Sequence, residues 1–247
     1  MKRIAVGIAA IAMMVSLTGV AQAFPSSQRL LFFYGDKGSA LWQSGKDDNG
    51  VNFNDSPLDS NHARIALNEP VADNSTFPYS YAGAYAKNTG LSGQSVANVR
   101  NLSFDYLTGV SIGGGAPRFS VPIDTDNNGT TDEYVFMAAA DCTQTLNSTW
   151  SRADFTGNTA NYVAGVSGCV IYEGGATPYA SNGTESAWDV FEDANPGYHI
   201  ATDSPAFVIQ DVQGSSFIDR VAFQNRMYTA SGSSSQAIKT CPNEASC

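Results

Sequence analysis

Residues 117–140, PRFSVPIDTDNNGTTDEYVFMAAA, hold a strand, a carboxylate-rich loop and a second strand in one unbroken run. Phe119, Val121 and Ile123 alternate with Arg118, Ser120 and Pro122, the period of a strand with one buried face. Tyr134 to Met137 is apolar and β-prone. Between the two, Asp124, Asp126, Asn128, Thr130 and Asp132 fall at every second position, and Gly129 permits a sharp bend. This spacing of oxygen donors can wrap one structural calcium ion, with Asp124, Asp126, Asn128, the Thr130 carbonyl and Asp132 as ligands. A metal-free hairpin is the competing reading, because Asn128-Gly129 is itself a tight-turn pair.

On the N-terminal side, residues 29–34 (RLLFFY) form an apolar run suited to a buried strand, ended by Gly35-Asp36. Residues 44–62 are rich in Asp, Asn, Ser and Gly and predict a long loop, with another strand over 62–67. Phe77, Tyr79, Tyr81 and Tyr85 share one parity, so on a strand they project from one face. There they either pack against a neighbouring sheet or offer an aromatic platform to a sugar ring. Residues 99–107 alternate Leu102, Phe104 and Tyr106 against Asn101, Ser103 and Asp105, a half-buried strand. Gly109-Val110-Ser111-Ile112-Gly113 has the spacing of a nucleophile elbow, with His199 downstream. An elbow needs a helix right after the serine, and Gly113-Gly114-Gly115-Ala116-Pro117 opposes one.

On the C-terminal side, weak strand signals at 154–156 and 162–166 precede a stronger one at 168–172. One short helix is predicted, capped by Ser186 with Asp189, striped by Trp188, Phe191 and Ala194, and stopped by Asn195-Pro196-Gly197. Strands follow at 198–202, 206–212 and 217–223, the last two joined as a hairpin through residues 213–216. In the final strand Phe217, Val221 and Phe223 share a parity with Asp219, which aims a carboxylate at the core and demands an Arg or backbone N–H partner, or else a metal. The expected fold is an all-β antiparallel β-sandwich with one short helix, a single domain over 24–229. A Ser/Gly linker and a cysteine-containing tail occupy 230–247.

The chain opens like an export signal: basic Lys2 and Arg3, an apolar stretch over 4–17, and Ala21-Gln22-Ala23 as a cleavage pattern after which the mature chain starts at Phe24. The apolar stretch is shorter than the ~20 residues a spanning helix needs, so no membrane insertion is expected. The destination is secretion or the cell surface. A formal charge of −10 argues against nucleic acid as a partner. Cys142, Cys169, Cys241 and Cys247 are an even set in an oxidising compartment; Cys142 with Cys169 and Cys241 with Cys247 is the preferred of three pairings. Zinc is disfavoured, since no Cys-x-x-Cys pair occurs and His62 and His199 lie at no ligand spacing to the cysteines.

Many short strands, the acidic FIDRVAF segment at 217–223 and the Asp-rich loop resemble the jelly-roll modules of secreted carbohydrate-binding proteins, in which a structural calcium is common. The loop DTDNNGTTDE is also similar to dockerin-type calcium loops, but Val135 stands at the twelfth position and strands flank it. Export, the β-pattern, the aromatic residues and the calcium-type loop together suggest a non-catalytic module for an extracellular polysaccharide, with Tyr79, Tyr81 and Trp150 as candidate ligand contacts read from the aromatic pattern; no sugar-binding motif of the jelly-roll modules carries over residue by residue. A glycan-active hydrolase would need two acids about 5–10 Å apart across a cleft. A structural or adhesive surface protein without a small ligand is the third class.

Overall fold

The alternation read in the sequence becomes two stacked antiparallel sheets of eight strands each. The computed structural model describes residues 30–44, 63–70, 80–107, 115–142, 144–145, 149–156, 169–230 and 236–240. In chain order the strands are β1 (Leu30–Gly35), β2 (Ser39–Ser44), β3 (Ala63–Glu69), β4 (Tyr81–Ala86), β5 (Leu102–Leu107), β6 (Arg118–Asp124), β7 (Glu133–Ala138), β8 (Gln144–Thr145), β9 (Trp150–Asp154), β10 (Val170–Glu173) and β11 (Thr177–Ala180). Helix α1 (Ala187–Ala194) then precedes β12 (His199–Ile200), β13 (Phe207–Gln210), β14 (Gly214–Phe223), β15 (Arg226–Ala230) and β16 (Gln236–Thr240). The first sheet runs β1-β4-β13-β6-β7-β10-β11, with β12 also on β6. The second runs β16-β15-β14-β5-β9-β8, with β3 beside β14 and β2 beside β3.

Strand β6 is central to the first sheet, and its Phe119, Val121 and Ile123 are fully buried between the layers. The Phe119 ring meets Phe104 of β5 at 5.3 Å and Phe223 of β14 at 5.2 Å, both edge to face, the geometry aromatic quadrupoles favour. These contacts join the two sheets. Helix α1 closes one side. Ser186 and Asp189 form the reciprocal capping box, and Trp188 and Phe191 are buried, while Trp188 Nε1 donates to the Val96 carbonyl at 3.0 Å. Ala194 is exposed rather than part of the buried stripe.

Three local expectations are corrected. The hairpin between 206–212 and 217–223 does not form, because β13 has both edges taken by β4 and β6 whereas β14 pairs with β3, β5 and β15. Residues 211–213 instead cross from one sheet to the other. Asp219 does not share a face with Val221 and Phe223. The β5 pairing shifts register between Asp219 and Ala222, and Arg220 takes a φ of 48°. A bulge of this kind turns the following residues over, so Ile218, Val221 and Phe223 face the core and Asp219 joins the opposite face. Finally, residues 236–240, assigned to the tail by composition, pair with β15 as an edge strand.

The opposite face of the second sheet carries a buried ionic group. Asp105 accepts from Arg152 Nη1 at 2.9 Å and from Arg220 Nη1 at 3.3 Å, and both Asp105 and Arg152 side chains are fully buried. Arg152 Nη2 donates to Ser103 Oγ at 2.7 Å, and Asp219 accepts from the Arg220 N–H at 2.7 Å. The partner demanded for a buried Asp219 is thus backbone N–H, on a face other than the one expected.

Candidate functional site

The loop after β6 is built around two carboxylates. Asn127 and Gly129 adopt φ of 61° and 90°, left-handed values that suit Asn and Gly. This turns the Asn128 and Gly129 N–H groups onto the two oxygens of Asp124, at 3.1 and 2.6 Å. Burial alone pushes the Asp124 carboxyl up, but the N–H groups of Gly129, Asn128 and Asn127 together outweigh it and hold it below its ordinary value. Asp132 accepts from Thr125 N and Oγ1, each at 2.8 Å, and these bonds likewise lower its pKa.

Asp124, Asp126 and Asp132 each offer a carboxylate oxygen, and these oxygens lie within 4.8 Å of one another. The cluster can hold a metal ion, and its hard oxygen donors suit calcium or magnesium better than a soft metal. Asn128 stands apart: its Oδ1 accepts from Thr130 N at 2.8 Å and from Thr130 Oγ1. A clasp from the chain after β12 secures the loop. Thr202 donates to the Gly129 carbonyl through N at 3.0 Å and Oγ1 at 2.8 Å, and Thr131 donates to Asp203 through N and Oγ1.

The outer face of the first sheet carries rings. In β4 the alternation places Ala82, Ala84 and Ala86 in the core and Tyr81, Gly83 and Tyr85 outside. Phe33 lies opposite Gly83, and a Cβ there would come within 2.3 Å of the Phe33 ring. Gly83 is therefore the notch that lets Phe33 lie across the sheet. Phe33 contacts Tyr81 at 5.9 Å, Tyr85 at 6.1 Å and Phe207 at 5.6 Å; Tyr134 continues the row to Phe207 at 6.0 Å and to Phe136 at 6.2 Å. Tyr172 of β10 stands directly across from Phe136. From β1 to β10 the row crosses five inter-strand spacings of about 4.8 Å, about 24 Å in all. Tyr81, Tyr85, Tyr134, Phe136 and Tyr172 remain partly exposed, while Phe33 and Phe207 are buried.

Of the candidate ligand contacts, Tyr81 lies on this face. Trp150 does not: it is fully buried on β9, on the face that also holds Arg152, so it packs and offers no ring to a ligand. Tyr79 lies outside the described residues, as do residues 1–29, the 109–113 segment, Cys241 and Cys247. Cys142 and Cys169 form a disulfide, consistent with an extracellular protein. Among the described residues no helix is long and apolar enough to cross a membrane.

A second acidic pair leaves no local signal in the sequence, because its members come from different strands. Glu133 of β7 and Glu173 of β10 are hydrogen-bonded to each other, and Tyr179 Oη donates to Glu173 at 2.6 Å. They are in contact rather than across a cleft, unlike the acids of a glycosidase. Desolvation first, then Glu173 and Asp132, push the Glu133 carboxyl from 4.5 up to about 7. Between those values the folded chain holds a proton that the unfolded chain has released, so this contribution to stability is complete below pH 4.5 and lost as pH rises through about 7. In chelator-containing buffer, urea unfolding across that range is expected to show this decline in the wild type and a flatter profile in Glu133→Gln. Equal slopes would refute the assignment.

Comparison with protein-family models, curated proteins and solved structures finds no match.

Proposed function

We propose that this chain is an exported, non-catalytic module that binds an extracellular polysaccharide on the aromatic face of its first sheet, with a structural calcium ion in the 124–132 loop. The observation that carries this reading is the set of partly exposed rings Tyr81, Tyr85, Tyr134, Phe136 and Tyr172 on one sheet face, joined in part by the buried Phe33 and Phe207. Partly exposed rings on one face of a sheet suit stacking against sugar faces. The jelly-roll resemblance adds support through the antiparallel sandwich, and the export signal and the Cys142–Cys169 bridge add support for localisation. The Asp124, Asp126 and Asp132 carboxylates supply three of the calcium ligands, and calcium would neutralise charge that the loop now balances with N–H groups.

A glycan array paired with a reducing-sugar release assay tests the reading. Binding without release is expected, weakened in Tyr81→Ala and Tyr85→Ala and unaffected by a change at an exposed position off this face. Release of reducing ends would favour the hydrolase, and silence in both assays a structural surface protein. Calcium is expected to raise the melting temperature of the wild type with an affinity of roughly 10⁻⁴ to 10⁻³ M, and not that of Asp126→Ala. No calcium-dependent heat or melting shift in the wild type would end the metal assignment.

A further inference from the structure

We propose that the groove at the β7–β10 end of this face binds a protonated amine, so that the polysaccharide taken by the module carries amino-sugar units. This rests on the polysaccharide reading above and narrows it to a charge class. The groove has a volume of about 340 Å³, within the range of small-ligand pockets, and is lined by Phe136, Tyr172, Arg118, Asp141 and Gly175 among others. Phe136 and Tyr172 are direct cross-strand neighbours. They supply adjoining aromatic walls.

Two charged side chains reach the groove, and they differ in what they have left to give. Arg118 lies over the Phe136 ring at 4.9 Å, but both its Nη groups are bound by the two oxygens of Asp211. It adds no net charge. Asp141 is half-buried and makes no hydrogen bond or ion pair among the described residues. Its carboxyl is pushed up by burial with no counter-charge offsetting that push. With the Phe136 ring already taken by Arg118 and Tyr134, the Asp141 carboxylate beside the Tyr172 ring is complementary to an organic cation, which gains an ion pair from the one and a cation–π contact from the other. A neutral hydroxyl could satisfy only the first partner and would bring no charge. The chain as a whole points the same way: 23 acidic against 13 basic side chains attract polycations and repel anionic glycans.

The test is titration calorimetry in mildly acidic, low-salt buffer with two probes, a glucosamine tetramer and its fully N-acetylated counterpart. The amine form is expected to bind about tenfold more tightly than the acetylated form, a preference that shrinks on adding salt. Asp141→Asn keeps the side-chain shape and should abolish the preference while leaving acetylated-tetramer binding and the melting temperature unchanged. Tyr172→Ala should weaken both. Binding of both tetramers with no preference, or a preference that survives Asp141→Asn, overturns the amine assignment and leaves the polysaccharide reading standing. Failure of every glycan on the array and of both tetramers overturns the two together.

Discussion

Replacing Asp105 by alanine is expected to destabilise the fold by about 3–5 kcal/mol, a large fraction of what a domain of this size commands. Asp105 accepts from both Arg152 and Arg220, in a site where Asp105 and Arg152 are fully excluded from solvent. Taking away its charge leaves the two guanidinium groups with one anion fewer and no water to replace it. Desolvation lowers the Arg220 pKa and Asp105 works against that shift, so the carboxylate is what keeps a buried cation tolerable there. Urea unfolding should show a lower midpoint with an unchanged slope. Asp105→Asn, which retains hydrogen-bonding oxygen, should lose less. A loss below about 1 kcal/mol would place the group among surface ion pairs and contradict its burial. Pairing Asp105→Ala with Arg152→Met should recover part of the loss, since it removes one of the two cations that Asp105 balances and leaves only Arg220 short of its partner.

Reducing the Cys142–Cys169 bridge, or replacing both cysteines by serine, is expected to cost about 3.5 kcal/mol, the loop-closure value for cysteines 27 residues apart. Cys142 follows β7 and Cys169 precedes β10, which pairs with β7, so the bridge holds the two ends of a long excursion at the place where they meet in the sheet. Unfolding followed with and without reductant measures the difference. Equal midpoints would show that the excursion is already restricted in the unfolded chain.

The β6 loop β7 unit could be read from the sequence because every signal in it is local: strict alternation, a glycine at the bend and carboxylates two residues apart. The same holds for α1, whose capping box spans three residues. What could not be read depends on distant partners. A parity count along residues 217–223 assumes an unbroken ladder, and a single left-handed residue, Arg220, reverses it. Trp150 has the pattern of a strand residue with an exposed face, but sequence alone does not say which face the rest of the chain covers. Tyr81 and Tyr85 were legible as one face. Their neighbours Phe33, Phe207 and Tyr134 come from three other strands, so the length of the ring row appears only in the folded sheet. Asp141 carries no motif, and its interest arises from the two rings beside it.

The short arc over residues 201–206 has a consequence for how order is shared across the molecule. At one end Thr202 and Asp203 grip the acidic loop; next to them Ser204 is hydrogen-bonded to the Tyr134 hydroxyl at 3.2 Å; immediately beyond, the chain enters β13 with Phe207. Loop and ring row thus hang from the same few peptide units. Thermal opening of one removes a support of the other, so amide hydrogens in the loop and in the neighbouring part of β13 should exchange as a single cooperative block. The acidic loop is in this sense a fastening for the aromatic surface as well as a cluster of ligands.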